Sequence, residues 1–255
     1  MPFPLLFSVR YNTPMPNAKL QNFTVHFHNS EEYHHLKREI FSHNTYYFET
    51  TSPNPTIIDA GAHIGLATLY FKTQYPLATI TAVEPNPYLF ALLEQNIFEN
   101  QLQDIICINA ALAATKDKLP FYIDETANQW WSTGSFINGA WTKQQKSTEI
   151  LVPTIPLSDI VTTQVDLLKL DIEGAEQLVL ESCPNVLHFI DQIHIEYHST
   201  KNQSMVKLSE LLTNHGFVLT YFKDGYQLEK FNINQPKGLF EIHAKKKAQK
   251  SGTLA

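Results

Sequence analysis

The chain has 255 residues, of which 43% are hydrophobic and 17% charged, and it carries a formal net charge of −6. This is the composition of a globular protein, and the length allows one sizeable core with an extension rather than several domains. Lys245, Lys246, Lys247 and Lys250 fall in an acid-free C-terminal end, so the rest is more acidic still, which speaks against nucleic acid as the main partner. The basic end, residues 246–255, reads as a solvated, frayed tail. The only cysteines, Cys107 and Cys183, have no disulfide or metal-ligand spacing and are expected as reduced thiols. No stretch reaches the ~18 apolar residues of a membrane span, and the proline-broken Met1–Phe7 is too short for a secretion signal, so a cytoplasmic protein is expected.

Residues 1–52 read as an N-terminal cap. Phe23–Phe27 alternates like a short strand, and Ser30 is the expected N-cap of a helix to about Phe41 with Glu31 and Glu32 in its first turn. Pro53-Asn54-Pro55 separates the cap from a core spanning residues 53–245. From Thr56 onward strands and helices alternate, which predicts an α/β fold with a mostly parallel sheet and helices on both faces.

The first core strand, Thr56-Ile57-Ile58-Asp59, breaks into Ala60-Gly61-Ala62-His63-Ile64-Gly65 and then an apolar helix, a turn suited to a nucleotide-type cofactor. The second ends at Glu84, about 20 residues after the glycines, where a carboxylate can grip two ribose hydroxyls. Asn86 is a good N-cap and Pro87 suits the first helical position, which fixes Glu84 at a strand end. A dinucleotide site wants a third glycine between the two, but Ala62 and His63 crowd that turn, and Asp59 sets a negative charge near the diphosphate position. A cofactor bearing ammonium and sulfonium groups, S-adenosylmethionine, fits better than NAD.

The third core strand, Ile105–Asn109, leads to Ala110-Ala111-Leu112, small enough for a flat adenine ring. Two extra strands, Leu119–Ile123 and Ile150–Ile155, flank an insert at 126–148 that holds all three tryptophans, Trp130, Trp131 and Trp141. The fourth strand, Asp166–Leu170, ends in Asp171-Ile172-Glu173-Gly174, and the fifth closes with Glu196-Tyr197-His198. A helix from about Ser204 to His215 stops at Gly216, and Phe217–Phe222 and Leu239–Ala244 complete the sheet.

These residues resemble the FkbM family of S-adenosylmethionine-dependent methyltransferases. The resemblance rests on Ile58–Gly65, Val83–Pro87, Asn109–Leu112, Thr154–Ile160 and, most specifically, Asp166-Leu167-Leu168-Lys169-Leu170-Asp171-Ile172-Glu173-Gly174-Ala175-Glu176, in the right order from about residue 40 to 222. One departure is His63, where the family's turn usually carries Asn. The resemblance implies a Rossmann-like class I fold, a seven-stranded sheet with the last strand antiparallel, and methyl transfer to a hydroxyl of a small molecule, sugar or lipid. An NAD-dependent oxidoreductase and a non-catalytic binding module of the same fold are the alternatives.

The expected cofactor contacts are Asp59, Gly61, His63, Gly65, Glu84, Asn86, Ala111 and Asp171. An alcohol that attacks a methyl group must lose its proton, and His198 is the first choice of base because it titrates nearest neutral pH, with Asp171 and Glu196 as alternatives or orienters. Glu173 either meets the acceptor or braces its loop, and Trp130 and Trp131 form either a lid or a flat wall for the acceptor. Mg²⁺ on Asp171, Glu173 and Glu196 is an alternative, and no metal is assigned.

Overall fold

The computed structural model describes residues 15–124, 134–136, 147–234 and 236–247. The cap forms a hairpin of β1 (Asn17–Leu20) and β2 (Phe23–His26), followed by α1 (Ser30–Lys37). Asn29, rather than Ser30, caps α1: its side chain accepts hydrogen bonds from the Glu31 and Glu32 backbone amides, which leaves Ser30 as the first helical residue. The helix then widens into a π turn, Arg38–Ser42, closed by the His43 amide donating to the Arg38 carbonyl at 3.0 Å.

Alternation follows as expected: β3 (Thr56–Ala60), α2 (Leu66–Gln74), β4 (Thr79–Val83), α3 (Pro87–Glu99), β5 (Ile105–Ile108), β10 (Val165–Leu170), α4 (Glu176–Ser182), β11 (Ile190–His198), α5 (Met205–Asn214), β12 (Phe217–Lys223), β13 (Tyr226–Gln227) and β14 (Leu239–Lys246). The main sheet runs β13-β12-β14-β11-β10-β3-β4-β5. Strands β5, β4, β3, β10 and β11 are parallel, and β14 is antiparallel to both β11 and β12. The reversed last strand is as expected, but the sheet has eight strands, because the turn after β12 folds back as the two-residue β13. Lys245 and Lys246 belong to β14 rather than to a tail: the Lys246 ammonium donates to the His215 carbonyl at 2.6 Å and lies over the Phe217 ring.

Between β5 and β10 a second sheet, β6-β9-β7-β8, is made from β6 (Ala111–Leu112), β7 (Lys118–Asp124), β8 (Gly134–Ser135) and β9 (Ser147–Ile155). The two expected extra strands are β7 and β9, antiparallel to each other. Trp130 and Trp131 lie outside the described residues.

One apolar cluster joins α4, α5 and the sheet around Leu168, Ile193, Leu208 and Phe217. On the other face the cap contributes Val25, Tyr33, Ile40 and Phe48 to a cluster with Leu69, Phe71 and Leu92. Polar ties reinforce this seam. Asn96, fully buried on α3, accepts from the His26 amide at 2.7 Å and donates to the His26 and Ile64 carbonyls at 3.1 and 2.8 Å, so one carboxamide bridges hairpin, helix and glycine turn. Among the described residues, no helix is long and apolar enough to cross a membrane.

Candidate active site

A cavity of about 820 Å³ opens at the carboxyl ends of β3, β4, β10 and β11, the rim where open α/β sheets bind ligands. It is within the size range of small-molecule sites. The chain builds its rim from glycines and carboxylates.

Gly61 has φ +78, and a Cβ there would stand 1.7 Å from the Asp171 carbonyl oxygen, so only glycine lets the turn after β3 pack against the end of β10. His63 also has a positive φ, +53, a conformation that Asn and His tolerate better than most residues. This gives a backbone reason for His in place of Asn. Its amide donates to Glu84 Oε2 at 2.9 Å, and the Asn86 amide donates to Oε1 at 2.8 Å. Glu84 is 5% exposed and held on the cavity wall from both sides, with burial pushing its carboxyl above the usual range.

Three expected contacts prove to be supports. Asp59 is fully buried beneath the wall, where Oδ2 accepts from the Thr68 hydroxyl at 2.7 Å and Oδ1 lies 3.2 Å from the Lys169 ammonium. Its charge is spent on Lys169 and does not face the cavity. Gly65 does not line the cavity either, because it is tucked against Leu93 of α3. Asn86 caps α3 by accepting from the Tyr88 amide at 3.0 Å, and it acts on the site by orienting Glu84. Gly61, His63, Ala111, Asp171 and Glu173 do line the cavity.

The opposite end of the cavity is a knot of charge. Lys169, 2% exposed, donates to the Gly61 carbonyl at 2.8 Å, lies 3.4 Å from Asp171 Oδ2 and sits over the Tyr46 ring. Burial opposes its charge, but Asp59, Asp171 and Glu196 outweigh that and hold the ammonium protonated. The Tyr46 hydroxyl, from the cap, donates to Asp171 Oδ2 at 3.5 Å and Glu196 Oε2 at 3.3 Å. His198 Nδ1 is 3.1 Å from Glu176 Oε1, and Nε2 is 3.2 Å from Glu173 Oε2 and 3.7 Å from Glu196 Oε1.

This geometry corrects the role expected of His198. Burial disfavours the imidazolium, yet the hydrogen bond to Glu176 and the fields of Glu173, Glu176 and Asp171 more than offset it, and the pKa rises to about 10. An imidazole that turns both N–H groups toward carboxylates is no proton acceptor. The carboxylates shift the other way. Burial, then Asp171 and Glu176, push Glu173 up to about 8 despite His198, while burial and Asp171 raise Glu196 well above its ordinary value.

Sequence reading brought Asp171, Glu173, Glu196 and His198 together correctly but missed five residues. Lys169 had a readable signal, a lone charge in the apolar run Leu167-Leu168-Lys169-Leu170. Tyr46, Glu32 and Glu39 come from the cap, and Glu176 from the start of α4. Glu32 Oε1 is 3.3 Å from His63 Nε2, and its field, with those of Glu84 and Asp171, raises the His63 pKa against the effect of burial. From the insert, Ser135 donates to the Glu173 carbonyl at 3.0 Å, and Phe136 packs edge-on against Phe121 at the cavity wall.

Residues 59–228 match the methyltransferase FkbM domain. Methyltransferase 1 of Beauveria bassiana is 30% identical over 232 residues, covering 84% of this chain and 86% of that protein. The 31-O-demethyl-FK506 methyltransferase FkbM of Streptomyces tacrolimicus is 26% identical over 230 residues, covering 79% and 88%. Among solved structures, methyltransferase FkbM from Methylobacillus flagellatus KT superposes with a TM-score of 0.49 at 12% identity, covering 76% of this chain and 45% of that one. With the domain match spanning most of the chain and the strand order in place, the protein belongs to the FkbM methyltransferase family.

Proposed function

We propose that the protein is an S-adenosylmethionine-dependent O-methyltransferase acting on a hydroxyl of a small molecule, sugar or lipid. The observation that carries this reading is Glu84, a buried carboxylate whose two oxygens are aimed by the His63 and Asn86 amides into a cavity walled by further acids. Two oxygens so held suit the vicinal hydroxyls of a ribose. The wall sets Glu32, Glu39, Asp171, Glu173 and Glu196 against Lys169 and His198, an excess of acids that suits a cofactor with ammonium and sulfonium groups better than a diphosphate. The name of the Streptomyces relative, a 31-O-demethyl-FK506 methyltransferase, supports oxygen as the methyl-accepting atom.

When bound, the cofactor supplies an electrophilic methyl group on sulfur. The chain's own work is alignment: Glu84 would hold the ribose, Ala110 and Ala111 leave room for the purine, and the Gly61 turn admits the rest. The proton of the acceptor hydroxyl passes to the carboxylates grouped at the ends of β10 and β11, Asp171, Glu173 and Glu196. His198, charged and hydrogen-bonded between acids, keeps that group from flying apart.

Calorimetric titration with S-adenosylhomocysteine tests the reading. One equivalent is expected to bind, and Glu84→Gln is expected to weaken it about 10–100-fold, since one bidentate charged contact is worth about 1.5–3 kcal/mol. Absence of heat, or tighter binding of NAD, would refute it.

A further inference from the structure

We propose that Asp171, Glu196 and His198 form a binding site for a divalent cation, Mn²⁺ or Mg²⁺, at the acceptor end of the cavity. One ligand atom from each of the three lies within 4.8 Å of the others, and all three residues line the cavity. Two carboxylates and one imidazole make an oxygen-rich set that can hold Mn²⁺ or Mg²⁺.

Acids in a row are not by themselves a site, and two further features single these out. The first is the support behind the ligands. A metal-binding histidine characteristically donates its second ring N–H to a carboxylate, which fixes the tautomer and aims the other nitrogen at the ion. His198 Nδ1 lies 3.1 Å from Oε1 of Glu176, a fully buried residue, and Nε2 faces the cavity between Glu173 and Glu196. Glu176 is itself locked, since Oε1 also accepts the Gly174 amide and Oε2 accepts from Gln203 at 2.6 Å. Tyr46 and Lys169 steady the carboxylates in the same way: the Tyr46 hydroxyl donates to both Asp171 and Glu196, and the Lys169 ammonium stands 3.4 Å from Asp171.

The second feature is charge. Glu196 on β11 is directly opposite Glu241 on β14, which brings a further acid beside the three ligands. Asp171 and Glu39 add to the same field. Lys169 is shared with Asp59 and the His198 imidazolium with Glu173 and Glu176, so acids outnumber cations at this end of the cavity. An ion there would displace the Nε2 proton of His198 to solvent, while Nδ1 stays against Glu176.

The proposal rests on the methyltransferase reading and deepens it. An ion there would polarise the acceptor hydroxyl and orient it toward the methyl group, leaving Glu173 as the nearest uncoordinated carboxylate to take the proton. The acceptor would then be a group with two adjacent oxygens, able to chelate.

Mn²⁺ titration of the chelator-treated full chain, followed by loss of the free-ion electron paramagnetic resonance signal, tests the site without an acceptor. One saturable equivalent is expected. Glu196→Gln should weaken binding at least tenfold, and Glu176→Gln, which touches no ion and acts as a positioning residue, should weaken it about 10–100-fold. Glu99→Gln, on α3, should change nothing. Each variant is checked for retained S-adenosylhomocysteine binding, and if Glu176→Gln does not fold, Asp171→Asn replaces it with the same expected loss. No saturable binding, or equal binding in Glu196→Gln, overturns the site. Cofactor-product binding without Mn²⁺ binding would remove the metal alone, and Mn²⁺ binding without cofactor-product binding would remove the methyl-donor reading.

Discussion

Lys169 shows how a single buried charge organises the end of a sheet. Its ammonium reaches Asp59 on the neighbouring strand, Asp171 at its own strand end and the Gly61 carbonyl in the turn, so it ties together the three segments on which a cofactor would rest. Removing it would leave Asp59, with no exposed surface, as an uncompensated charge. Lys169→Met should therefore destabilise the fold by about 3–5 kcal/mol, and Asp59→Asn in the same chain should recover part of that loss, both read from urea denaturation. Equal stability of the single and double variants would contradict the pairing. The sequence marked Asp59 because strand-end acids beside glycine turns meet cofactors. It did not show that a lysine 110 residues further on in the chain faces that acid, a fact of register between β3 and β10.

Capping decides much at the level of elements. Asn86 and Pro87 start α3 where they were expected to, because the Asx side chain and the fixed proline φ act locally and need no tertiary context. Asn86→Ala should cost about 1 kcal/mol in thermal or denaturant unfolding, and it should weaken S-adenosylhomocysteine binding less than Glu84→Gln does, since the backbone amide that holds Glu84 is retained. A loss as large as that of Glu84→Gln would mean that the Asn86 side chain itself meets the ligand. The start of α1 shifted by one residue because Asn29 and Ser30 compete for the same role, and Asn29 has the extended backbone that lets its oxygen reach two amides. The π turn after α1 was not legible, since no residue pattern announces a wide turn, yet it carries Glu39 and Ile40 to the cavity wall. The two-residue β13 was equally hidden in sequence rich in turn formers.

Across the whole molecule, the alternation of strands and helices was enough to give the parallel core, and the resemblance supplied its order and the reversed strand. What no local pattern carried was the cap's placement over the site, because Tyr46, Glu32 and Glu39 reach their partners through long-range packing. Long-range packing also produces an acid-sensitive point on the strands beside the cavity. His194 on β11 and His243 on β14 are cross-strand neighbours with rings stacked 3.8 Å apart, bordered by Phe222 and Glu241. Burial and the neighbouring ring press the His194 pKa well below its ordinary value, and burial lowers His243 to about 4. Between pH 6.5 and 4 the unfolded chain binds protons that the folded pair refuses, so their contribution is fully present above pH 6.5 and is lost as the pH falls. For His243 this amounts to about 2 kcal/mol by pH 5. The raised carboxyls of Glu241 and Glu196 titrate with the opposite sign, so the test is a difference. His243→Phe, which preserves a flat ring, should narrow the gap in melting temperature between pH 7.5 and pH 5, and an unchanged gap would acquit the pair.

The Asn96 carboxamide, with its three ties to the His26 backbone and the glycine turn, bears on how such a protein can be recombined. A chimera that borrowed α3 from one relative and the leading hairpin from another would break the clasp unless both donors carried the same amide at that spot. Domain-shuffling experiments on this scaffold should therefore exchange the first hundred residues as a block, with crossover points placed beyond Asn100, whose side chain holds both backbone groups of Thr24.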